Sequence, residues 1–169
     1  EREILDLDVL FVGAGPASLS GAIQLKRLFN ESGCKASVAV LEKASEVGAH
    51  SLSGAIFDPR SLIELFPDYK DRNVPFEAEV KEEHMYYLMK GKKLPFPYVP
   101  PSMRHHGCYV TSIGKFTRWL GERAEEEGVD IFCGFSGTDF LYDDNKVIGV
   151  KTGDRGIDKD GERKPQFEL

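Results

Sequence analysis

Over the first fifty residues, two short apolar runs flank a stretch in which apolar residues recur at helical spacing. Residues 8–12 form a short apolar run that ends at a glycine, which predicts a buried parallel strand. Apolar residues then recur at near-helical spacing over 19–28, up to and including Leu28, which predicts a helix. A second apolar run, 38–41, ends at Glu42. Strand, glycine turn, helix, strand and acidic residue together predict one βαβ unit.

The remainder of the chain shows one further long helix and two hairpin patterns. A helix is predicted from a Ser cap over 112–127, and a strand over 129–132. Segments 85–96 and 140–150 each hold two apolar runs around a polar turn, which predicts hairpins. The polar tail 153–169 is expected to be a loop, or one half of a hairpin without its partner strand.

The glycine turn after the first strand has the chemistry of a dinucleotide site. Gly13 permits a tight turn, and Gly15 lets a pyrophosphate approach the helix N-terminus, where Pro16 loses no hydrogen bond. Glu42 can accept hydrogen bonds from a ribose diol, and its charge would repel the 2′-phosphate of NADP. The third glycine position carries Ser18. An ordinary glycine-rich turn is the alternative, and the flanking strand and helix argue against it.

These patterns predict an α/β fold. We expect a three-layer FAD/NAD(P)-binding, Rossmann-like core with an added antiparallel β region, incomplete in this chain. The predicted segments are a βαβ unit over 1–58, an inserted helix and β-hairpin region over 59–111, and a truncated return to the first domain over 112–169.

Charge and composition narrow the functional classes. The formal net charge of −6 and the lack of a basic tract argue against a nucleic-acid partner. The apolar runs are far shorter than the roughly 20 residues of a membrane-spanning helix. Cys34, Cys108 and Cys133 share no CxxC spacing, which argues against a zinc or iron–sulfur site within the chain and fits a reducing compartment.

A longer stretch after the second strand is more specific than the glycine turn. Residues 42–54 read EKASEVGAHSLSG and are followed by Asp58-Pro59. This wording resembles the electron transfer flavoprotein-ubiquinone oxidoreductase family. Further similar segments follow in the same order: Leu65–Asp68, His106-Gly107, Trp119-Leu120, Gly149-Val150 and Gly153–Ile157.

The resemblance implies an FAD-dependent oxidoreductase. Such an enzyme takes electrons from reduced electron transfer flavoprotein and passes them, with the help of a [4Fe-4S] cluster, to ubiquinone. The family's cluster cysteines and quinone-binding segments are expected beyond Leu169, in a missing C-terminal part. The resemblance implies no catalytic acid or base and no metal ligand in this chain. The expected FAD-binding residues are Gly13, Gly15, Pro16, Ala17, Ser18, Glu42, Lys43, Gly48, Ala49, His50, Ser53 and Gly54.

The resemblance also implies a peripheral membrane surface as a partner. The expected location is the cytoplasmic face of a bacterial membrane or the matrix face of the mitochondrial inner membrane. Asp58-Pro59 predicts a helix start, and the apolar cluster around it is the candidate contact with lipid, although such clusters usually pack on a core. Its members are Ile56, Phe57, Leu62, Leu65 and Phe66.

Two rival functions stay open at this point. One is a different FAD-dependent reductase or hydroxylase that acts on a small molecule or lipid. The other is a truncated nucleotide-binding module that folds but is inactive alone, because an FAD site normally takes contacts from both ends of its domain.

Overall fold

A computed structural model describes residues 3–157 and 163–168. The chain falls into two compact units. The first combines Glu1–Ser51 with Thr117–Leu169, and the second comprises Leu52–Phe116. The three-segment division expected from the sequence stays a prediction.

The described residues form three α-helices, twelve strands and two short 3₁₀ turns. In chain order, these are β1 (Val9–Val12), α1 (Pro16–Ser32), β2 (Val38–Glu42), β3 (Ala55–Phe57), α2 (Arg60–Leu65), the 3₁₀ turn Tyr69–Asp71, β4 (Phe76–Glu79), β5 (Tyr86–Met89), β6 (Lys92–Pro95), the 3₁₀ turn Pro101–Met103, β7 (Tyr109–Thr111), α3 (Ile113–Glu127), β8 (Asp130–Cys133), β9 (Gly137–Asp143), β10 (Lys146–Thr152), β11 (Arg155–Ile157) and β12 (Arg163–Glu168).

The first unit is built on a three-stranded parallel sheet in the order β1-β2-β8. Val9 pairs with Val38 and Val12 with Leu41, so the two strands end at the same edge of the sheet. Helix α1 connects β1 to β2 and ends at Gly33, whose left-handed backbone (φ 71°) favours glycine. The βαβ unit predicted from the apolar pattern is confirmed.

The core of this unit lies between α1 and β2. Residues 38–40 of β2 are fully buried, and Leu19 and Ile23 of α1 are buried with them. Leu28 was expected on the same helix face, but it is 49% exposed. The physical reason is its spacing, because nine residues beyond Leu19 are about two and a half helical turns, which places Leu28 on the opposite side.

Helix α3 and its cap agree with the sequence prediction. The Ser112 hydroxyl accepts a hydrogen bond from the Lys115 N–H at 3.5 Å, and the helix ends before Gly128, which has φ 91°. Trp119 and Leu120 are buried, as expected for the apolar side of the helix.

Two hairpins complete the first unit. The predicted hairpin is formed by β9 and β10, with Asp144 at φ 50° in its turn. The tail departs from expectation, because β11 pairs with β12 in an antiparallel manner. The tail therefore contains both halves of its own hairpin and needs no outside strand.

The second unit contains a three-stranded antiparallel sheet in the order β3-β7-β4. An aromatic cluster covers this sheet. The rings of Phe76 and Tyr109 stack with centroids 4.2 Å apart, and Phe57 lies 4.6 Å from Phe116. These three short strands were not predicted. A helix follows Asp58-Pro59 as predicted, but α2 begins at Arg60, so that Pro59 and not Asp58 is its N-cap residue. The Asp58 carboxylate accepts a hydrogen bond from the Arg60 N–H at 3.1 Å, just before the helix.

The second unit also carries the hairpin of β5 and β6, which was predicted. Every residue of both strands is exposed. Its turn holds Gly91 at φ 75°, and the Lys93 ammonium lies 4.6 Å from the centre of the Tyr86 ring. Across residues 3–157 and 163–168, no helix combines the length and apolar character that crossing a membrane requires.

Candidate cofactor-binding site

The turn after β1 is held by backbone geometry. Gly13 has φ 96°, a conformation that side-chain-bearing residues rarely adopt. Its N–H donates a hydrogen bond to the Leu41 carbonyl at 2.7 Å, which ties the turn to the end of β2. Gly13 is therefore required by the fold itself, as the sequence predicted.

Gly15 is explained differently. Its backbone (φ −80°, ψ 166°) is ordinary extended backbone that any residue can adopt. A Cβ atom added to Gly15 would meet no protein atom within 4 Å. Neither strain nor packing in the protein explains a glycine here. The position instead leaves open space directly beside the first turn of α1, which is what the approach of a ligand would need.

The first turn of α1 contains no acidic side chain that would balance the positive end of the helix dipole. Pro16 occupies the first helical position, and the amides of Ala17 and Ser18 follow it. First-turn amides have no acceptor within their own helix. Gly15 contributes no side-chain cap, and the first turn holds no acidic residue. The positive end of the helix dipole therefore suits an anion, and the phosphate groups of a dinucleotide are anions of this kind.

The Glu42 carboxylate is fixed at the end of β2. One of its oxygens accepts a hydrogen bond from the Ala14 N–H at 2.8 Å, and the other accepts one from the Ala44 N–H at 2.8 Å. An ionised carboxylate has about four lone-pair sites, so two remain for further donors. The group is held in one orientation and can still accept hydrogen bonds from a diol.

The loop from Lys43 to Ser51 follows Glu42. Lys43 and His50 are exposed, and Ala49 is exposed beside them. Gly48 has φ 83°, and the Ser51 N–H donates to the Gly48 carbonyl at 3.1 Å. The loop is therefore a defined turn with polar side chains at its surface.

Ser53 and Gly54 lie in the second unit. The two hydroxyls of Ser53 and Ser112 are 3.1 Å apart, and Gly54 has φ 84°. The structure thus brings Gly13, Gly15, Glu42 and the start of α1 together at one edge of the parallel sheet. It places Ser53 and Gly54 in the other unit, and their role in binding stays a prediction.

Sequence reasoning missed two residues that hold the loop, Arg118 and Gly121 of α3. Arg118 forms an ion pair with Glu46 at 2.7 Å. A Cβ on Gly121 would lie 3.2 Å from a methyl group of Val47. The signal was present in the sequence, because a glycine inside a helix is unfavourable and usually has a packing reason. Its packing partner, Val47, lies 74 positions away and could not be identified from the sequence.

Comparison with known proteins connects this geometry to a family. No protein-family model matches the chain. Three curated relatives are similar over nearly its whole length: the electron transfer flavoprotein-ubiquinone oxidoreductase of Pseudomonas aeruginosa (46% identity over 99% of this chain and 31% of that protein), the probable one of Acinetobacter baylyi (48%, 99% and 30%) and the mitochondrial one of Mus musculus (43%, 99% and 28%). This chain is related to the electron transfer flavoprotein-ubiquinone oxidoreductases. The resemblance drawn from residues 42–54 is confirmed.

The match covers only part of each of these relatives. The chain spans about a third of the length of these curated relatives, between 28% and 31% in the three named above. The relationship to electron transfer flavoprotein-ubiquinone oxidoreductases therefore concerns the part of those proteins that this chain matches.

Solved structures show the fold. The chain is similar to the protein FqzB (TM-score 0.58, 22% identity, 96% of this chain and 35% of that one). It is also similar to a geranylgeranyl bacteriochlorophyll reductase-like protein from Thermoplasma acidophilum (0.56, 22%, 86% and 34%) and to a myxobacterial chondrochloren halogenase described as FAD-dependent (0.52, 16%, 92% and 34%). The predicted fold class, an α/β core with an added antiparallel β region, is confirmed.

Proposed function

We propose that this chain is the FAD-binding part of an oxidoreductase that passes electrons from reduced electron transfer flavoprotein to ubiquinone. The observation that carries the proposal is the open space at Gly15, beside an uncapped helix N-terminus and at the sheet edge where Glu42 is fixed. The names of the curated relatives provide the reaction and the two partners.

The residues present fit two neighbouring groups of a dinucleotide, its pyrophosphate and its adenosine ribose. The amides of Ala17 and Ser18 would bind the pyrophosphate, aided by the helix dipole, and Gly15 admits it closely. Glu42 would accept hydrogen bonds from the adenosine ribose, and its charge disfavours a 2′-phosphate. Lys43, exposed next to Glu42, adds a positive charge near the same sugar. Gly13 and Pro16 shape the turn that presents these groups.

The loop beyond Lys43 is proposed to lead towards the flavin. Gly48 and Ala49 would approach it with their backbone, and His50 would provide a hydrogen-bonding side chain. Ser53 and Gly54, which belong to the second unit, stay sequence predictions for the same cofactor. FAD supplies the electron-transfer chemistry when bound, whereas the protein supplies position and electrostatics. For that reason we assign no catalytic acid or base to this chain.

A membrane surface is proposed as a further partner, through the hairpin of β5 and β6. Tyr87 and Leu88 are 63% and 76% exposed, and Leu94 is 52% exposed. Lys90 and Lys92 stand at the turn between the strands. Apolar side chains flanked by lysines suit the boundary between acyl chains and acidic headgroups. The sequence prediction placed this contact at the cluster around Phe57 instead, where Leu62 and Phe66 are buried and only Ile56 is substantially exposed.

The proposal extends to the whole enzyme in two respects. A [4Fe-4S] cluster would be held by residues outside this chain, because Cys34, Cys108 and Cys133 lack the spacing of a cluster motif. The enzyme would be membrane-associated, on the cytoplasmic face in a bacterium or the matrix face of the mitochondrial inner membrane.

The reaction is tested by the electron donor. The chain is loaded with FAD, separated from free cofactor, and mixed anaerobically with reduced electron transfer flavoprotein, NADH or NADPH. We expect the 450 nm absorbance of the bound flavin to fall with reduced electron transfer flavoprotein and to stay constant with either nicotinamide cofactor. A fall with NADH or NADPH alone would instead support the rival reductase or hydroxylase. Bound flavin that responds to none of the three donors would support the inactive module.

A further inference from the structure

Helix α3 contains a glycine at an unfavourable place. Gly121 lies in the interior of a 15-residue helix, where glycine is less stable than alanine. Its φ is not in the left-handed region, so the backbone does not require it. The reason for the glycine is its packing against Val47. An added Cβ would lie 3.2 to 3.4 Å from three carbon atoms of the Val47 side chain. The missing side chain therefore lets the loop after β2 lie directly on the helix.

A second contact from α3 reaches the adjacent loop residue. Arg118, almost one helical turn before Gly121, donates a hydrogen bond to the Glu46 carboxylate at 2.7 Å. Both side chains are about half exposed, at 49% and 58%. Screening by water makes this pair weak by itself. Its position matters more, because it fixes the residue next to Val47 from the same helix face.

The end of β8 fixes the beginning of the same loop. The Gly134 N–H donates to the Ala44 carbonyl at 2.7 Å, and the Phe135 N–H donates to the Glu42 carbonyl at 3.0 Å. Residues 42–47 are thus held from two sides, by the segment after β8 and by α3. The segment after β8 and residues 117–127 of α3 belong to the same compact unit as the loop.

We propose that Gly121 and Arg118 are positioning residues for the cofactor loop, defined as residues 43–51, and that they set the affinity for the adenosine half of the dinucleotide. The inference rests on the proposed function for its ligand, and its structural part stands without it. The link to the ligand is Ala44, whose N–H donates to a Glu42 carboxylate oxygen at 2.8 Å. A displacement of the loop therefore turns the carboxylate that would bind the ribose.

The experiment measures the loop and the ligand separately in the 169-residue chain. The variants are Gly121→Val, the double variant Gly121→Val with Val47→Ala, Arg118→Gln and the conservative Arg118→Lys. Hydrogen exchange reports on the amides of Ala49 and Ser51, which donate within the loop. Quenching of FAD fluorescence gives the dissociation constant, and circular dichroism reports the melting transition.

We expect Gly121→Val to raise the exchange rate of both amides and the FAD dissociation constant about tenfold, with a melting transition that stays cooperative. Val47→Ala in the same chain removes two methyl groups and should restore both values to within about threefold. Arg118→Gln should raise both values two- to fivefold, and Arg118→Lys should stay at the wild-type values. In high salt, the wild-type loop should approach the behaviour of Arg118→Gln.

Unchanged exchange and unchanged affinity in Gly121→Val would overturn the proposal. If Gly121→Val fails to fold, Arg118→Gln decides, because an exposed side chain can be replaced without loss of the core. A wild-type chain that binds no FAD would contradict the proposed function alone. The exchange measurements would then still support or overturn the positioning role of α3.

Discussion

Strands β2 and β5 are both apolar in sequence, but they lie in opposite environments. Residues 38–41 of β2 and residues 86–89 of β5 are both uninterrupted apolar runs. The four residues of β2 are buried, whereas all four of β5 are exposed. Strand β2 pairs with a neighbour on each edge and is covered by α1, while β5 and β6 form a two-stranded sheet within the described part of the chain. An apolar run thus predicts a strand in both cases, and only its neighbours decide whether the run faces protein or the surroundings.

The difference assigns each strand a separate task. A strand buried on both faces provides a rigid support, and β2 ends in the carboxylate that the backbone fixes in position. An exposed apolar run is energetically unfavourable in water, and a contiguous one commonly marks an interaction site. This contrast is why we propose cofactor positioning for β2 and membrane contact for the β5–β6 hairpin.

The strongest test of the comparison is one charged substitution in each strand. Val40→Asp would bury a carboxylate without a partner, which costs several kcal/mol and should prevent folding. Leu88→Asp, at a position 76% exposed, should change the free energy of unfolding by no more than about 0.5 kcal/mol. Urea denaturation followed by circular dichroism checks both. A cooperative, wild-type-like transition in Val40→Asp would show that β2 is not the core strand described above.

A substitution at the end of β2 separates cofactor binding from folding. Glu42→Gln removes the charge and places an NH₂ group opposite one backbone N–H, while the strand below it is unchanged. A hydrogen bond to a charged group contributes about 1.5–3 kcal/mol, so FAD affinity should fall roughly 10- to 100-fold. The melting temperature should fall by only a few degrees, because one backbone N–H loses its charged acceptor while the buried strand is unchanged. Fluorescence titration measures the affinity, and an undiminished affinity would remove Glu42 from the site.

The hairpin has a matched control elsewhere in the chain. Tyr87→Ser with Leu88→Ser should lower binding to vesicles that contain acidic lipid about tenfold or more, because burial of one such side chain is worth roughly 1.5–3 kcal/mol. The control is Val147→Ser with Ile148→Ser in the β10 hairpin, where exposure is similar, at 50% and 61%. Co-sedimentation with vesicles compares the two. Equal losses in both variants would mean that the vesicles bind exposed apolar side chains without selectivity.

A smaller effect is expected at Cys133, which pairs with Glu42 in the sheet register. Burial, followed by the negative charge of Glu42, raises the pKa of the Cys133 thiol. A raised pKa leaves less thiolate at a given pH, so alkylation at pH 8 should be slower at Cys133 than at the exposed Cys34. Glu42→Gln should accelerate labelling of Cys133 two- to threefold without affecting Cys34. Mass spectrometry of the alkylated peptides measures both rates.

The parts of the fold that could be predicted are those with local signals. Gly13 and Pro16 marked the turn and the start of α1, and the Ser112 cap marked α3. The β5–β6 and β9–β10 hairpins were predicted from turn residues between apolar runs. The sheet of β3, β7 and β4 was missed because its strands have three or four residues each, and because β3 pairs with a strand more than fifty positions away.

The candidate site divides in the same way. Gly15 and Glu42 stay predicted cofactor ligands, and their place at the strand ends was visible in the neighbouring sequence. The contact between α3 and the loop could not be predicted, because the packing of Gly121 depends on Val47, which is far away in the sequence. The exposure of the β5–β6 hairpin was also unpredictable from its pattern, which does not differ in kind from that of β2.

The most direct test of the central claim is the visible absorption spectrum of the chain after incubation with FAD and removal of free cofactor. The wild-type chain is compared with Gly15→Val, in which the new side chain occupies open space and meets no protein atom in its first position. We expect flavin bands near one equivalent in the wild type, and their loss in a Gly15→Val variant that still melts cooperatively. Flavin retained equally by both chains, or by neither, would contradict it.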